Sequence, residues 1–241
     1  MMAARVIAVM SPKGGVGKTT VSINLAASIA EIGRRVLLID ANLETSHVAV
    51  HMGMVGYAKA LEDVLNGSVN VKEAIYQTAN ENLFILPSRV FKKESDLNAK
   101  YKLVNLFHQI KKVKDDYDFI ILDSRPSYDL EFVKLVEGIE VIIVTAPEIT
   151  SILEARKMNE ELKRYGVRIM GLVLNRVNKR VRNAIDKDEA RKMMDVKAIW
   201  EVPEDYTVLE ALRRGMPAVY TDKRTLFSKA FKTLSRDLSA K

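Results

Sequence analysis

The stretch that most restricts the fold is Ser11-Pro12-Lys13-Gly14-Gly15-Val16-Gly17-Lys18-Thr19-Thr20. A β-branched apolar run, Arg5–Met10, precedes it, and an amphipathic segment begins at Lys18. Gly14, Gly15 and Gly17 carry no Cβ, so the backbone can turn sharply and converge its N–H groups on one point. A helix opening at Lys18 directs its unpaired N–H groups and positive dipole end at the same point. Strand, glycine turn and helix in this order form a cradle for phosphate. Lys18 is placed to reach terminal phosphate oxygens, and the Thr19 hydroxyl to ligate Mg²⁺.

The rest of the chain repeats the alternation that this unit begins. Strands are expected at Arg5–Met10, Val36–Asp40, Asn82–Pro87, Tyr117–Asp123, Glu140–Thr145, Val167–Asn175 and Lys197–Val202. Several are continuous apolar runs, the pattern of strands covered on both faces. Helices are expected at Lys18–Ile32, Lys100–Val113, Ser151–Tyr165 and Thr207–Arg214. In the first, Val21, Leu25, Ile29 and Ile32 share a stripe that stops at Gly33. Thr207-Val208-Leu209-Glu210 has the form of a capping box. The reading is a three-layer, doubly wound α/β fold with a mostly parallel sheet of about seven or eight strands. Without a repeat or a Pro/Gly-rich linker, residues 1–241 are expected to form a single domain.

Composition removes several chemistries. The chain has no cysteine, which excludes disulfides, thiolate nucleophiles, and cysteine-held zinc or iron–sulfur clusters. Its three histidines, His47, His51 and His108, lack the partners of a metal set. The most apolar runs, at residues 119–122 and 141–144, are strand-sized, far from a membrane span. Met1-Met2-Ala3-Ala4-Arg5 has no secretory apolar core, so a cytoplasmic protein is expected. The net charge of +7 favours acidic partners without choosing among them.

The ordinary phosphate-loop pattern requires glycine where Pro12 stands. The sequence Lys13-Gly14-Gly15-Val16-Gly17-Lys18-Thr19-Thr20 instead resembles the deviant-Walker-A ATPases of the MinD/ParA family, and MinD-type members in particular. That resemblance implies binding of ATP or ADP with Mg²⁺, and an ATP-sandwiched homodimer in which Lys13 crosses to the partner's phosphates. A second ammonium there would stabilise transition-state charge as an arginine finger does. The resemblance continues through Val36-Leu37-Leu38-Ile39-Asp40, the later Gly53, and Tyr117–Asp123, which looks like the Walker B strand. It implies that Thr19, Asp40 and Asp123 arrange the metal. Thr145-Ala146-Pro147-Glu148 resembles the loop whose glutamate contacts the other subunit's nucleotide. Gly171-Leu172-Val173-Leu174-Asn175-Arg176 resembles the strand end whose asparagine reads adenine, and Val202-Pro203-Glu204-Asp205 the loop closing over the base.

Two places depart from the family. After Asp40 a second carboxylate is usual two residues on, whereas this chain has Asn42. An amide can hydrogen-bond the attacking water but cannot take its proton, and losing a general base costs about 10²–10⁴ in rate. Slow hydrolysis is therefore expected, the alternative being an ATP-binding scaffold that hardly turns over. Glu44 is a substitute only if the loop is rebuilt, and an asparagine usual in MinD-type members is replaced by His47. After Walker B, Asp123-Ser124-Arg125-Pro126-Ser127 puts Arg125 where the ParA-type loop has a first proline, either as a phosphate or partner contact or as a solvated residue.

Family members switch their hold on a surface or partner in cell division, positioning or partition, so a protein partner is implied. For the surface itself two features compete. Phe227, Phe231, Leu234 and Leu238 form an apolar stripe with Lys229, Lys232 and Arg236 facing elsewhere. Such a helix suits either the core or an anionic membrane. Arg176, Lys179, Arg180, Arg182 and Lys187 form a basic segment suited to non-specific DNA, or simply to solvent.

Overall fold

A computed structural model describes residues 4–43, 45–91, 103–126 and 138–240. Its centre is an eight-stranded sheet in the order β3-β4-β2-β5-β1-β6-β7-β8. The strands are β1 (Arg5–Met10), β2 (Val36–Asp40), β3 (Tyr76–Gln77), β4 (Leu83–Leu86), β5 (Phe119–Asp123), β6 (Glu140–Thr145), β7 (Arg168–Val177) and β8 (Ile199–Pro203). All pairs are parallel except β3 with β4.

The continuous apolar runs divide by alternation. Ala8 and Met10 of β1, Leu37 and Ile39 of β2, Ile120 and Leu122 of β5, and Val141 and Ile143 of β6 enter one core. Their neighbours Ile7 and Val9, Val36 and Leu38, Phe119 and Ile121, and Ile142 and Val144 enter the other. Successive side chains point to opposite faces, and both faces are covered, so each strand is apolar throughout. Helices α3 (Leu61–Asn66), α4 (Leu103–Lys111), α5 (Ile149–Arg164) and α6 (Lys187–Met193) supply residues to the first core. Helices α1 (Lys18–Glu31), α7 (Thr207–Arg214), α8 (Ala218–Thr221) and α9 (Leu226–Ser239) supply the second, along with the short α2 (Val48–His51). This is the expected three-layer α/β arrangement.

Differences from expectation have local causes. The edge strand β3 is two residues long, too short for any periodicity to show. Strand β7 runs two residues past Asn175 because a bulge there absorbs Arg176, whose φ is 59°. Helix α7 is not opened by a Thr207 capping box. Thr207 is already helical, and both its N–H and its hydroxyl donate to the Asp205 carboxylate, at 2.9 and 2.7 Å. The first residues of the expected Lys100–Val113 helix lie outside the described residues, as do Glu44 and Ser127.

The C-terminal stripe is interior. Phe227, Phe231, Leu234 and Leu238 are all buried, and α9 packs on α1 and β8. The Trp200 indole N–H donates to Asp237 at 2.8 Å, fixing the helix along β8. Of the two uses open to these four residues the structure shows the core one: the apolar face that would enter lipid is the face that closes the core.

Candidate active site

Strand β1 lies between β5 and β6; the chain leaving β1 returns at β2 on one side, whereas the chain leaving the neighbouring β5 returns at β6 on the other. That is the switch point at which open α/β sheets form their ligand crevice. The glycine loop leaves β1 here and enters α1 at Lys18. No side chain caps the first turn of α1, and no acidic residue lies in it, so its N–H groups keep their capacity for an anion. Gly17 has φ 94°, and a Cβ on it would lie 2.3 Å from Nδ2 of Asn175. Asn175, buried at the end of β7, donates that amide N–H to the Val16 carbonyl at 2.7 Å. The loop and the far strand thus touch only because position 17 lacks a side chain.

Below the loop, Asp40 and Asp123 stand opposite each other in register at the ends of β2 and β5. Asp123 accepts the Thr19 hydroxyl at 2.7 Å and the Ser22 hydroxyl at 2.8 Å. Burial pushes its carboxyl up, against the pull of those hydroxyls and of Lys18 and His47. Asp40 is pushed up to about 8, first by burial and then by the charge of Asp123; Val48 and Asn42 N–H groups and Ser88 oppose the shift. Burial also draws the Lys18 ammonium down, with Asp123 pulling it back up. Lys18 Nζ donates to the Lys13 carbonyl at 3.4 Å, curling over its own loop.

This donor set fits Mg²⁺. It offers hard oxygens, two carboxylates held at a cost that a cation would relieve, and a threonine oxygen whose lone pairs stay free while its proton is given to Asp123. Among the described residues no cluster of three or more His, Asp or Glu could hold a metal by itself. An ion at these carboxylates would therefore complete its shell with water and substrate phosphate, as Mg²⁺ commonly does.

Lys13 is elsewhere. Its Nζ rests 3.4 Å from both Glu148 and Ser151 at the start of α5, and its side chain keeps 44% of its accessible surface. Lys13, Gly14 and Gly15 form the exposed crest of the loop; Val16 is buried beneath it, and Thr20 is half-buried. Asn42 is buried, and its amide is engaged on both edges by Thr45: Nδ2 donates to the Thr45 hydroxyl at 2.9 Å and Oδ1 accepts the Thr45 N–H at 3.3 Å. Arg125 is half-buried.

Arg176 is turned outward by its bulge and is exposed. Pro203 and Glu204 line a separate groove of about 790 Å³ with Asn178, Lys179, Tyr206 and Lys229. The Glu204 carboxylate accepts the Asn178 amide at 3.0 Å. Ser22 was not anticipated, although its place one turn after Lys18 puts it on the Thr19 side of the helix. The buried contact between Ser46 and Ser88, with Oγ atoms 2.5 Å apart, was also missed, because no spacing links residues so far apart.

Comparison with known proteins agrees with this geometry. A family model described as an AAA domain matches residues 4–186. The chain is 33% identical over 243 residues to a putative septum site-determining protein MinD of Oltmannsiellopsis viridis, covering 98% of this chain and 76% of that protein. It resembles the crystal structure of the Pyrococcus furiosus cell division ATPase MinD with a TM-score of 0.90 and 34% identity, covering 98% and 99% of the two chains. The septum site-determining protein MinD from Pyrococcus horikoshii OT3, solved with Mg-ADP, gives a TM-score of 0.89 at 34% identity, covering 98% and 96%.

Proposed function

Because this chain belongs to the MinD/ParA family of P-loop ATPases, we propose that it binds ATP with Mg²⁺, closes as a dimer around it, hydrolyses it slowly, and so switches its hold on a protein partner at a cellular surface. The observation that carries this reading is the division of labour between two lysines. Lys18 is buried over the loop, whereas Lys13 is exposed and loosely held at 3.4 Å from its nearest partners. A side chain with so little to lose can leave its own subunit for a neighbour's phosphates.

In this reading the amides of Gly14–Thr20 and the Lys18 ammonium hold the β- and γ-phosphates. Thr19, Asp40 and Asp123 hold the metal. Bound Mg²⁺ supplies positive charge to the phosphate oxygens. Lys13 of one subunit adds a second ammonium where charge accumulates as the terminal phosphoryl group transfers to water. Glu148, released by Lys13, becomes available across the same interface. Asn175 and Arg176, with the Pro203–Glu204 loop, would flank the base; Asn175 keeps one amide N–H and its carbonyl oxygen for it after bracing Val16.

A second reading, an ATP-bound scaffold that barely turns over, draws on Asn42. An amide cannot take the proton of the attacking water, and this one is already committed to Thr45. For the surface, the exposed Arg176, Lys179, Arg180 and Arg182 favour a polyanion such as non-specific DNA. The apolar stripe that would favour an anionic membrane is buried.

Light-scattering mass measurement and phosphate release, with and without Mg·ATP, test the proposal. The wild type should pass from monomer to dimer with ATP. Lys13→Ala should bind nucleotide yet neither dimerise nor hydrolyse it. ATP-independent mass, or a Lys13→Ala variant with full turnover, would refute the dimer mechanism.

A further inference from the structure

Both oxygens of the Asp123 carboxylate are held by hydroxyls from one helix. The Thr19 hydroxyl donates to Oδ2 at 2.7 Å, and the Ser22 hydroxyl donates to Oδ1 at 2.8 Å. Thr19 and Ser22 stand three residues apart in α1 and so share a face, the one that meets the end of β5. Ser22 is fully buried, and so is the carboxylate it touches.

Thr19 belongs to the phosphate loop, and its place is set by that motif. Ser22 lies beyond the loop, and its hydroxyl has a second acceptor, the Lys18 carbonyl one turn back at 3.0 Å. A single hydroxyl proton serves one acceptor at a time. Burying a serine requires one partner, and the carbonyl alone would meet that need. The bond to Asp123 is therefore not what allows Ser22 to be buried. Its effect falls on the carboxylate, which as the charged acceptor draws the proton away from the carbonyl.

That effect is orientational. The terminal torsion of an aspartate is broad, so a carboxylate held at one oxygen still turns. Donors on both oxygens fix its plane. With Oδ1 on Ser22, Oδ2 stays beside the Thr19 oxygen. When a cation draws on the carboxylate, the Ser22 hydroxyl can rotate to the Lys18 carbonyl, so no heavy atom moves and no buried donor is stranded.

We propose that Ser22 is a positioning residue of the metal–nucleotide site, holding Oδ1 of Asp123 so that Oδ2 and the Thr19 oxygen together face the divalent cation and its water shell. This rests on the reading of Asp123 as a metal-site carboxylate. Buried beneath the first turn of α1, Ser22 acts through Asp123 alone. Partners one step removed from a metal typically change its affinity by about 10–100-fold.

The test is a Mg²⁺ titration of the full chain with a fluorescent ATP analogue, beside the analogue's affinity in EDTA. Ser22→Ala should raise the Mg²⁺ midpoint at least about tenfold while leaving the EDTA affinity unchanged, because the loop amides and Lys18 do not depend on this hydroxyl. Ser22→Thr, which keeps the hydroxyl, should return the midpoint close to the wild-type value. A merely structural serine would lower thermal stability without moving the midpoint, so an unmoved midpoint in folded Ser22→Ala overturns the proposal. Equal shifts in Ser22→Ala and Ser22→Thr overturn it too, since the hydroxyl would not be their cause. Should Ser22→Ala fail to fold, Ser22→Cys takes its place, with similar size and only a weak S–H donor, and an unmoved midpoint there is the refuting result. A wild type whose nucleotide binding ignores Mg²⁺ would overturn the metal-site reading first, which separates the two failures.

Discussion

Replacing Phe231 by alanine removes a fully buried ring from the middle of α9. The ring stacks at a tilt on Phe227, with centroids 4.9 Å apart, in a helix wedged against α1 and β8. Deleting a core phenylalanine costs about 3–5 kcal/mol in transfer and cavity energy. The lost ring pair accounts for about 0.5–1.5 kcal/mol of that. In a chain of this length each kcal/mol lowers Tm by about 2–4 °C, so a fall of about 6–20 °C is expected. Against a typical total stability of about 5–15 kcal/mol, the variant should remain foldable or nearly so. The assay is thermal unfolding by circular dichroism, paired with sedimentation on anionic vesicles. Lys232→Ala, on the exposed face of the same helix, is the control and should move Tm little. A Phe231→Ala protein that melts like the wild type but loses vesicle binding would refute the packing argument, because only a lipid-facing ring behaves that way.

Other substitutions probe the site. Asn42→Asp should raise single-turnover ATP hydrolysis by about 10²–10⁴-fold by restoring a proton acceptor; an unchanged rate would show that another group positions the water. Gly17→Ala should cost about 1–3 kcal/mol from its left-handed backbone alone, and more from the clash with Asn175, measured by urea unfolding. Pairing it with Asn175→Ala should recover the clash but not the backbone cost. Removing Arg176, Lys179, Arg180 and Arg182 together should flatten the salt dependence of duplex DNA binding by about 3–4 in log–log slope, if those four neutralise phosphates. Tyr220, whose hydroxyl is pushed up to about 12 mainly by burial, favours its neutral form when folded. Its contribution is intact below pH 10 and is lost as pH rises towards 12, so Tyr220→Phe should show a shallower alkaline loss of stability.

Three strands of the sheet were legible to the residue, while the central β5 begins at Phe119 rather than Tyr117. β1, β2 and β6 begin and end where their β-branched runs do, because burial on both faces leaves no polar position to blur the boundary. Legibility faded where a tertiary partner set the structure. The Phe227–Leu238 stripe has the same periodicity on lipid as in a core, and only the presence of α1 and β8 beneath it decides. The bulge at Arg176 leaves no composition signal, yet it determines that Asn175 is buried and its neighbour exposed. At α7 the sequence offered a threonine cap, but the Asp205 carboxylate takes the N–H and the hydroxyl of Thr207 itself, a charge-assisted contact that leaves the threonine inside the helix.

The site shows the same limit more sharply. The glycine loop could be read because its chemistry sits in ten consecutive residues, and phosphate binding demands that backbone. The setting of the loop after Asp40 could not, since Ser46 and Ser88 are ordinary residues brought together by the β2–β4 pairing. That difference bears on how Asn42 is understood. On sequence alone it is a lost carboxylate, a defect in an otherwise retained machine. In the structure it belongs to a loop held at two points, by Thr45 on its amide and by the Ser46–Ser88 contact to the segment after β4. A decayed site would have no reason to keep that bracing around a buried Asp40 that accepts the Asn42 and Val48 N–H groups. The bracing keeps both edges of the Asn42 amide engaged in an ordered loop beside Asp40, which is the arrangement the proposed slow hydrolysis requires.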